Sequence, residues 1–410
     1  MKRWLYLLGV TVSACVLSVP TIAGDTSLEG RIQVGAVIAD PKTSFMNKGT
    51  GALRFDESGI TFHRALLRYN PDLSNSVSAN IVVNGRGDGD QRLGITQAAL
   101  KWKPLSAASV RLRGRAGLFY PRMSAENADV GWLSPYSYTP SAVNSWIGEE
   151  LRIFGAEASI FSPGRSRRSA WSWEATAALF GGNDPTGTLL GWRGFALTDR
   201  QTLRDDRIEF APIPAIIDRD QLWSKSWVEP FEEIDDRMGH YVGGHLRFRN
   251  STDLRLYYYD NNADPSRLNS DRLYAWETRF SSLSMRHDLT PATRLLGQWI
   301  QGSSEMGPGL VKIEFDSYYF IVSHRRGASR FSARLDRWDV NETDNYELDP
   351  NDSAGNAITL SWRRDMSSSW QVGLEYIYTY NSAANRSTLG EPPNARQEQI
   401  MAVAQYRFSL

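Results

Sequence analysis

The chain of 410 residues holds one cysteine, Cys15, and it falls in the first segment of the sequence. Beyond that segment neither a disulfide nor a thiolate metal site is available. Lysine is scarce too, seven residues against 39 arginines in a basic total of 46. Acidic and basic residues are equal in number, so net charge gives no argument for a nucleic-acid partner. No later segment reaches the ~18 consecutive apolar residues of a membrane helix. A membrane crossing by this chain is therefore a crossing by strands. Catalytic signatures are missing as well: there is no Gly-x-Ser-x-Gly elbow, Walker loop or dinucleotide fingerprint. Five histidines are scattered, and the spacing of His240 and His245 sends them to opposite faces of a strand. The chain reads as a non-enzyme with neither cofactor nor metal.

What is present begins with an export signal. Lys2 and Arg3 precede the apolar run Trp4 to Val19, and Thr21-Ile-Ala23 offers small residues for cleavage, so residues 1–23 read as a signal peptide. After it, apolar and polar residues alternate. In Ser109-Val-Arg-Leu-Arg-Gly-Arg-Ala-Gly-Leu-Phe119, Arg111, Arg113 and Arg115 occupy one face of a strand, and Val110, Leu112, Ala116 and Leu118 the other. Sixteen such segments recur, near 27–39, 57–69, 76–86, 93–103, 109–119, 150–161, 169–180, 238–249, 253–260, 273–286, 293–301, 314–324, 329–339, 356–364, 369–380 and 396–410. Their length, roughly ten residues, is that of a tilted membrane strand.

The connections choose between a soluble sandwich and a barrel. Short links such as Asn250-Ser-Thr252, Arg325-Arg-Gly-Ala328 and Asp365-Met-Ser-Ser368 alternate with long ones at 40–56, 120–149, 181–237, 340–355 and 381–395. A sandwich has no reason to keep its tight turns at one end. A membrane barrel does, with short periplasmic turns and long external loops. Trp and Tyr on apolar faces, among them Trp102, Trp171, Tyr274, Trp276, Trp362, Trp370 and Tyr378, suit an interfacial girdle. The fold class expected is all-β, a transmembrane antiparallel barrel of sixteen strands over 24–410, with the arginines of 109–119 facing a wet lumen.

The ending Ala402-Val-Ala-Gln-Tyr-Arg-Phe-Ser-Leu410 resembles the C-terminal signature of bacterial outer-membrane proteins, with Leu410 in place of the usual terminal aromatic. Phe62-His-Arg-Ala-Leu-Leu-Arg68, Arg115-Ala-Gly-Leu-Phe-Tyr-Pro121, Ser332-Ala-Arg-Leu-Asp-Arg-Trp-Asp339 and Leu348-Asp-Pro-Asn-Asp-Ser-Ala-Gly355 resemble the sixteen-stranded porins of the phosphate-selective porin O/P superfamily and its dicarboxylate-porin-like relatives. The resemblance implies a Gram-negative outer-membrane homotrimer, set in lipid and lipopolysaccharide, that passes small anionic solutes by diffusion. It also implies delivery to the barrel-assembly machinery through the C-terminal strand.

On this reading Arg64, Arg68, Arg111, Arg113, Arg115 and Arg152 line the solute path, because arginine replaces part of an anion's hydration. The competing reading pairs these arginines with Glu29, Glu157 and Glu174 as a merely polar filling. The 120–149 loop carries Arg122, Glu126, Asp129, Trp132, Tyr136, Tyr138 and Trp146. By analogy with general porins it folds inward and constricts the lumen, its aromatics forming an apolar side opposite the arginines; otherwise it is an external loop packed over the rim. The acidic residues of 181–237 and 340–355 match no EF-hand spacing and read as solvated charge facing lipopolysaccharide. Two rival functions stay open: a non-transporting barrel used for adhesion or envelope anchoring, and a barrel enzyme.

Overall fold

The computed structural model describes residues 26–410, Asp90 excepted. The signal-peptide reading of 1–23, and Cys15 with it, lies outside the described residues. Sixteen antiparallel strands close into one barrel. In the first half these are β1 (Thr26–Ala39), β2 (Gly59–Pro71), β3 (Val77–Gly85), β4 (Leu93–Trp102), β5 (Arg111–Phe119), β6 (Ile153–Ser162), β7 (Trp171–Gly181) and β8 (Gly239–Phe248). The second half runs β9 (Thr252–Asp260), β10 (Trp276–Asp288), β11 (Thr293–Met306), β12 (Val311–Arg326), β13 (Ser329–Glu342), β14 (Ser353–Asp365), β15 (Trp370–Ala383) and β16 (Asn394–Ser409). Each corresponds to one alternating segment of the sequence.

Closure runs from Glu29 opposite Ser409 to Ala39 opposite Gln399, pairing β1 with β16. No strand edge is left open, as a hydrocarbon environment demands. The tight turns all lie at one end. At the other end are L1 (40–58), L2 (86–92), L3 (120–152), L4 (182–238), L5 (261–275), L6 (307–310), L7 (343–352) and L8 (384–393). L6 is shorter than the alternation suggests. Gly307 and Gly309, both with positive φ, flank Pro308 and turn the chain within four residues, so β11 and β12 run longer.

Pleating sorts the side chains. On β1, Ile32, Val34 and Ile38 are 40–64 % exposed, whereas Gln33 and Val37 are 5 % or less. Among the described residues no helix is long and apolar enough to cross a membrane; the strands' apolar exterior supplies the bilayer surface instead. At the tight-turn ends Trp102, Trp171 and Trp370 stand exposed. Trp171 meets Phe248 at 4.8 Å between ring centres, and Trp370 meets Tyr406 at 5.1 Å. They form an interfacial girdle.

Two aromatics expected in that girdle are not there. Trp276 is 1 % exposed and points inward, edge-on to Trp192 at 5.3 Å, and Tyr274 lies in L5 against the interior core. The reason is that the inner face here is not wet. L3 and L4 descend into the barrel and cover it with apolar surface.

Candidate functional site

The lumen is built from two kinds of wall. On β5 the pleat turns Arg111, Arg113 and Arg115 inward and leaves Leu112 53 % exposed outside. Arg115 sits directly opposite Glu157 of β6, with Nη2 2.9 Å from Oε2. Arg113 pairs with Glu174 of β7. Arg122, from the start of L3, reaches both carboxylates at 2.7 and 3.0 Å, and the Tyr241 hydroxyl donates to Glu157. Three guanidiniums thus share two carboxylates, an excess of one positive charge. Lys101, which the sequence reading passed over, stands opposite Arg115 on β4 and adds another. Arg111 lies nearer the tight-turn mouth, donating to Ser166 Oγ at 3.1 Å.

The remaining arginines expected on the path divide. Arg68 faces inward and pairs with Glu29. Arg64 is buried against L4, 2.7 Å from Asp199. Arg54 of L1 joins that carboxylate and reaches Asp88 at 2.8 Å. Burial alone raises the Asp199 pKa, but Arg54 and Arg64 hold it below the usual carboxylate range. Arg152 is a correction. It lies one residue before inward-facing Ile153, on the parity of exposed Phe154, and fills a rim cavity with Phe231 of L4, 4.1 Å from the ring centre. It is not on the lumen face. The pairing with Glu29, Glu157 and Glu174 envisaged by the competing reading is the geometry found.

The opposite wall is dry. L3 enters the barrel and carries the helix α1 (Ala142–Glu150), every residue of which is buried. The N-cap hydroxyl of Ser141 accepts from Asn144 N–H, and the Glu126 carboxylate accepts from Ser141 N–H at 3.1 Å and from its hydroxyl at 2.7 Å. Arg334 of β13 bridges Glu126 at 3.3 Å and Asp336 at 2.7 Å, and Asp336 in turn accepts Ala142 N–H at 3.1 Å. Glu375 of β15 accepts the N–H groups of Tyr138 and Thr139 at 2.6 and 2.8 Å. Polar wall residues thereby satisfy the backbone of a buried loop. Trp146 of α1 then packs edge-on against Phe280 and Phe315, both at 5.3 Å.

L4 closes over α1 from the other side. Its short helix α2 (Thr188–Trp192) is buried, and Glu150 accepts the N–H groups of Gly187 and Leu189 at 3.0 Å and the Trp146 indole N–H at 2.5 Å. Burial pushes the Glu150 pKa up to about 7. Arg193 pairs with Glu149 at 2.7 Å. Several acidic residues expected to be solvated are instead interior. Asp206 pairs with Arg86 at 2.5 Å and Arg200 at 3.0 Å, and Asp349 accepts from the Trp192 indole at 3.2 Å. L4 is long enough to fold inward, and its charges find arginines there.

The other L3 residues do not form one apolar side. Trp132 stacks on Tyr120 with centres 4.3 Å apart, and Asp129 lies 3.5 Å from Arg31. Tyr136 and Tyr138 lie under Arg330 and Arg363, at 5.4 and 4.4 Å. The combined effect of L3 and L4 shows in the wall itself. Inward Val82, Glu157, Tyr241, Phe280, Ile300, Phe315, Arg334, Thr359, Ile377 and Met401, on ten different strands, are each 4 % exposed or less. At mid-height the lumen is filled.

No family model and no curated protein matches the chain. Solved structures do. The outer membrane channel DcaP of Acinetobacter baumannii superposes with a TM-score of 0.58 at 9 % identity, covering 94 % of this chain and 97 % of that one. The loop L8 deletion mutant of OmpT, an outer membrane protein of Vibrio cholerae, gives 0.55 at 9 % identity over 94 % and 100 %. An anion-selective porin from Comamonas acidovorans gives 0.52 at 13 % identity over 94 % and 100 %. The fold is that of the sixteen-stranded outer-membrane porins. The inward course of L3 and L4 rests on Trp146, Ile147, Leu189, Leu190 and Trp192 of α1 and α2, all buried.

Proposed function

We propose that the chain is a porin of the bacterial outer membrane, a homotrimer that passes small hydrophilic solutes and prefers anions such as phosphate or small carboxylates. The observation that carries this reading is the Arg113–Arg115–Arg122 group. It outnumbers its carboxylates and keeps 16–28 % of each side chain exposed in a barrel whose mid-height is largely filled. Hydrated, partly unneutralised guanidiniums on a lumen wall favour anions. Kinship with the phosphate-selective and dicarboxylate porins, insertion through the C-terminal strand and contact with lipopolysaccharide belong to the same reading. Arg64, Arg68 and Arg111 flank the group, and L3 is the constriction. Because L3 and L4 fill the barrel at mid-height, passage requires that they shift, so the channel is gated. The test is the reversal potential in a planar bilayer under a salt gradient. Anion selectivity that weakens in Arg113→Gln and Arg115→Gln supports the proposal; cation selectivity in the wild type refutes the anion preference.

The filled lumen favours a second reading, a non-transporting barrel used for adhesion or envelope anchoring. A correctly folded protein with no conductance at any voltage would decide for it.

A further inference from the structure

At the tight-turn mouth, away from the β5 row, three neighbouring strands place arginines directly opposite one another. Arg325 of β12 faces Arg330 of β13, and Arg330 faces Arg363 of β14. Like charges in cross-strand register repel, and a buried guanidinium without a counter-charge is costly. Arg363 is only 5 % exposed. Its Nε donates to Gln371 at 2.9 Å and its Nη1 to the Ser134 carbonyl at 2.8 Å, both neutral partners. Arg330 donates to Ser323 Oγ at 2.9 Å. Among the described residues no carboxylate lies within ion-pair distance of Arg330 or Arg363, whereas most arginines inside this barrel have one.

These side chains border a cavity of about 170 Å³ between L3 and the wall, which Arg407 of β16 also lines. Asp365 is the one wall carboxylate there, 2.9 Å from Arg407 and 3.9 Å from Arg325. Asp129, on the L3 side, is held by Arg31 at 3.5 Å. With that pair neutral, four arginines face one carboxylate, an excess of three positive charges. Arginine forks suit carboxylate and phosphate oxygens and bind them in pairs.

We infer that this cavity is a binding site for a small dianion, inorganic phosphate or a four-carbon dicarboxylate, bridging Arg330 and Arg363. The bridge removes the repulsion along the row. It also steadies L3, because Arg363 holds Ser134 and lies over the Tyr138 ring. Binding at the mouth is an equilibrium property and stands whether or not the barrel conducts.

The test is isothermal titration calorimetry of the full-length protein in detergent at low ionic strength, with sodium phosphate and with succinate as separate titrants. One saturable site is expected for at least one of them, and which titrant binds assigns the source of the dianion. Arg330→Gln and Arg325→Gln should each weaken it at least tenfold, while Arg249→Gln, which removes a charge from another turn at the same end, should change it less than twofold. Arg363→Gln also frees Ser134, so it is read only alongside the other two. No saturable heat with either titrant, or affinity unchanged in Arg330→Gln and Arg325→Gln, overturns the assignment.

Discussion

The inner faces of β5–β8 and of β10–β13 both turn into the barrel, yet the first is richer in charged side chains and the second in buried apolar ones. The first presents Arg113, Arg115, Glu157, Glu174 and His245; the second presents Phe280, Ile300, Phe315, Ile321 and Trp338. The difference is what covers them. Arg113 and Arg115 keep contact with lumen water, whereas α1 and α2 lie on the second wall and exclude it. Inward direction in a barrel therefore does not fix polarity. The nearest layer does, whether it is solvent or folded loop.

The comparison is sharpest where a charge sits on the dry side. Arg334 is 2 % exposed between Glu126 and Asp336, so Arg334→Met leaves two buried carboxylates without their partner. A loss of about 3–5 kcal/mol is expected, read as a lower midpoint in denaturant unfolding of the detergent-solubilised protein. Trp146→Ala empties the contact with Phe280 and Phe315 and should cost about 3–5 kcal/mol, toward the lower end where L4 collapses into the space. An unchanged midpoint in that variant would mean that α1 is not seated on the dry wall.

The wet side should respond differently. Leu112→Arg puts a charge on the lipid face and should destabilise the barrel by about 2–4 kcal/mol if it lies near the bilayer midplane. Arg113→Leu on the next residue should leave folding largely intact, because Glu174 keeps Arg122 at 3.0 Å. If electrophoretic heat-modifiability ranks these two in the reverse order, the inside–outside assignment of β5 fails. The smallest effect is in pH dependence. Burial raises Glu150 from an ordinary value of 4.5 to about 7, so the folded state holds its proton more tightly than the unfolded one. Its contribution to stability is full below the ordinary value and fades as pH rises through about 7. Asp199, held low by Arg54 and Arg64, has the opposite sense: its contribution is lost only as pH falls below the usual carboxylate range. Glu150→Gln should flatten the pH slope of thermal stability between pH 4.5 and 7 and leave the acid limb unchanged.

The same contrast explains what the sequence made legible. Strand count, order and the one-sided turns follow from alternation and turn composition, which are local properties. The alternating face of β5 also told which side Arg113 takes. Trp276 was misplaced because alternation alone cannot distinguish an apolar residue facing lipid from one facing an inserted loop. Arg152 was placed on the path only for its position after the 120–149 segment; counting by twos from inward Glu157 and Ile153 puts it on the outward parity of Phe154. The buried partners of L3, namely Arg334, Asp336 and Glu375, come from strands about 190 to 240 positions away. A signal was present: Arg334 and Asp336 share the inward parity of Ser332-Ala-Arg-Leu-Asp336, where a wet wall has no need of so close a pair.

The seam between β1 and β16 has a consequence for the order of assembly. The strand that closes the ring is the last one made, and the groups that satisfy the buried backbone of L3 lie on β13 and β15, also late in the chain. Until those strands arrive, Glu126 lacks its ion pair with Arg334, and the Ala142 N–H lacks the Asp336 carboxylate. The charge-paired seating of L3 therefore requires β13 and β15 to be in place. A chain cut short anywhere before β16 loses the closing seam, and one cut before β13 also loses Arg334, Asp336 and Glu375, the charged wall partners of L3. Completeness of synthesis is thereby written into whether the interior can dry.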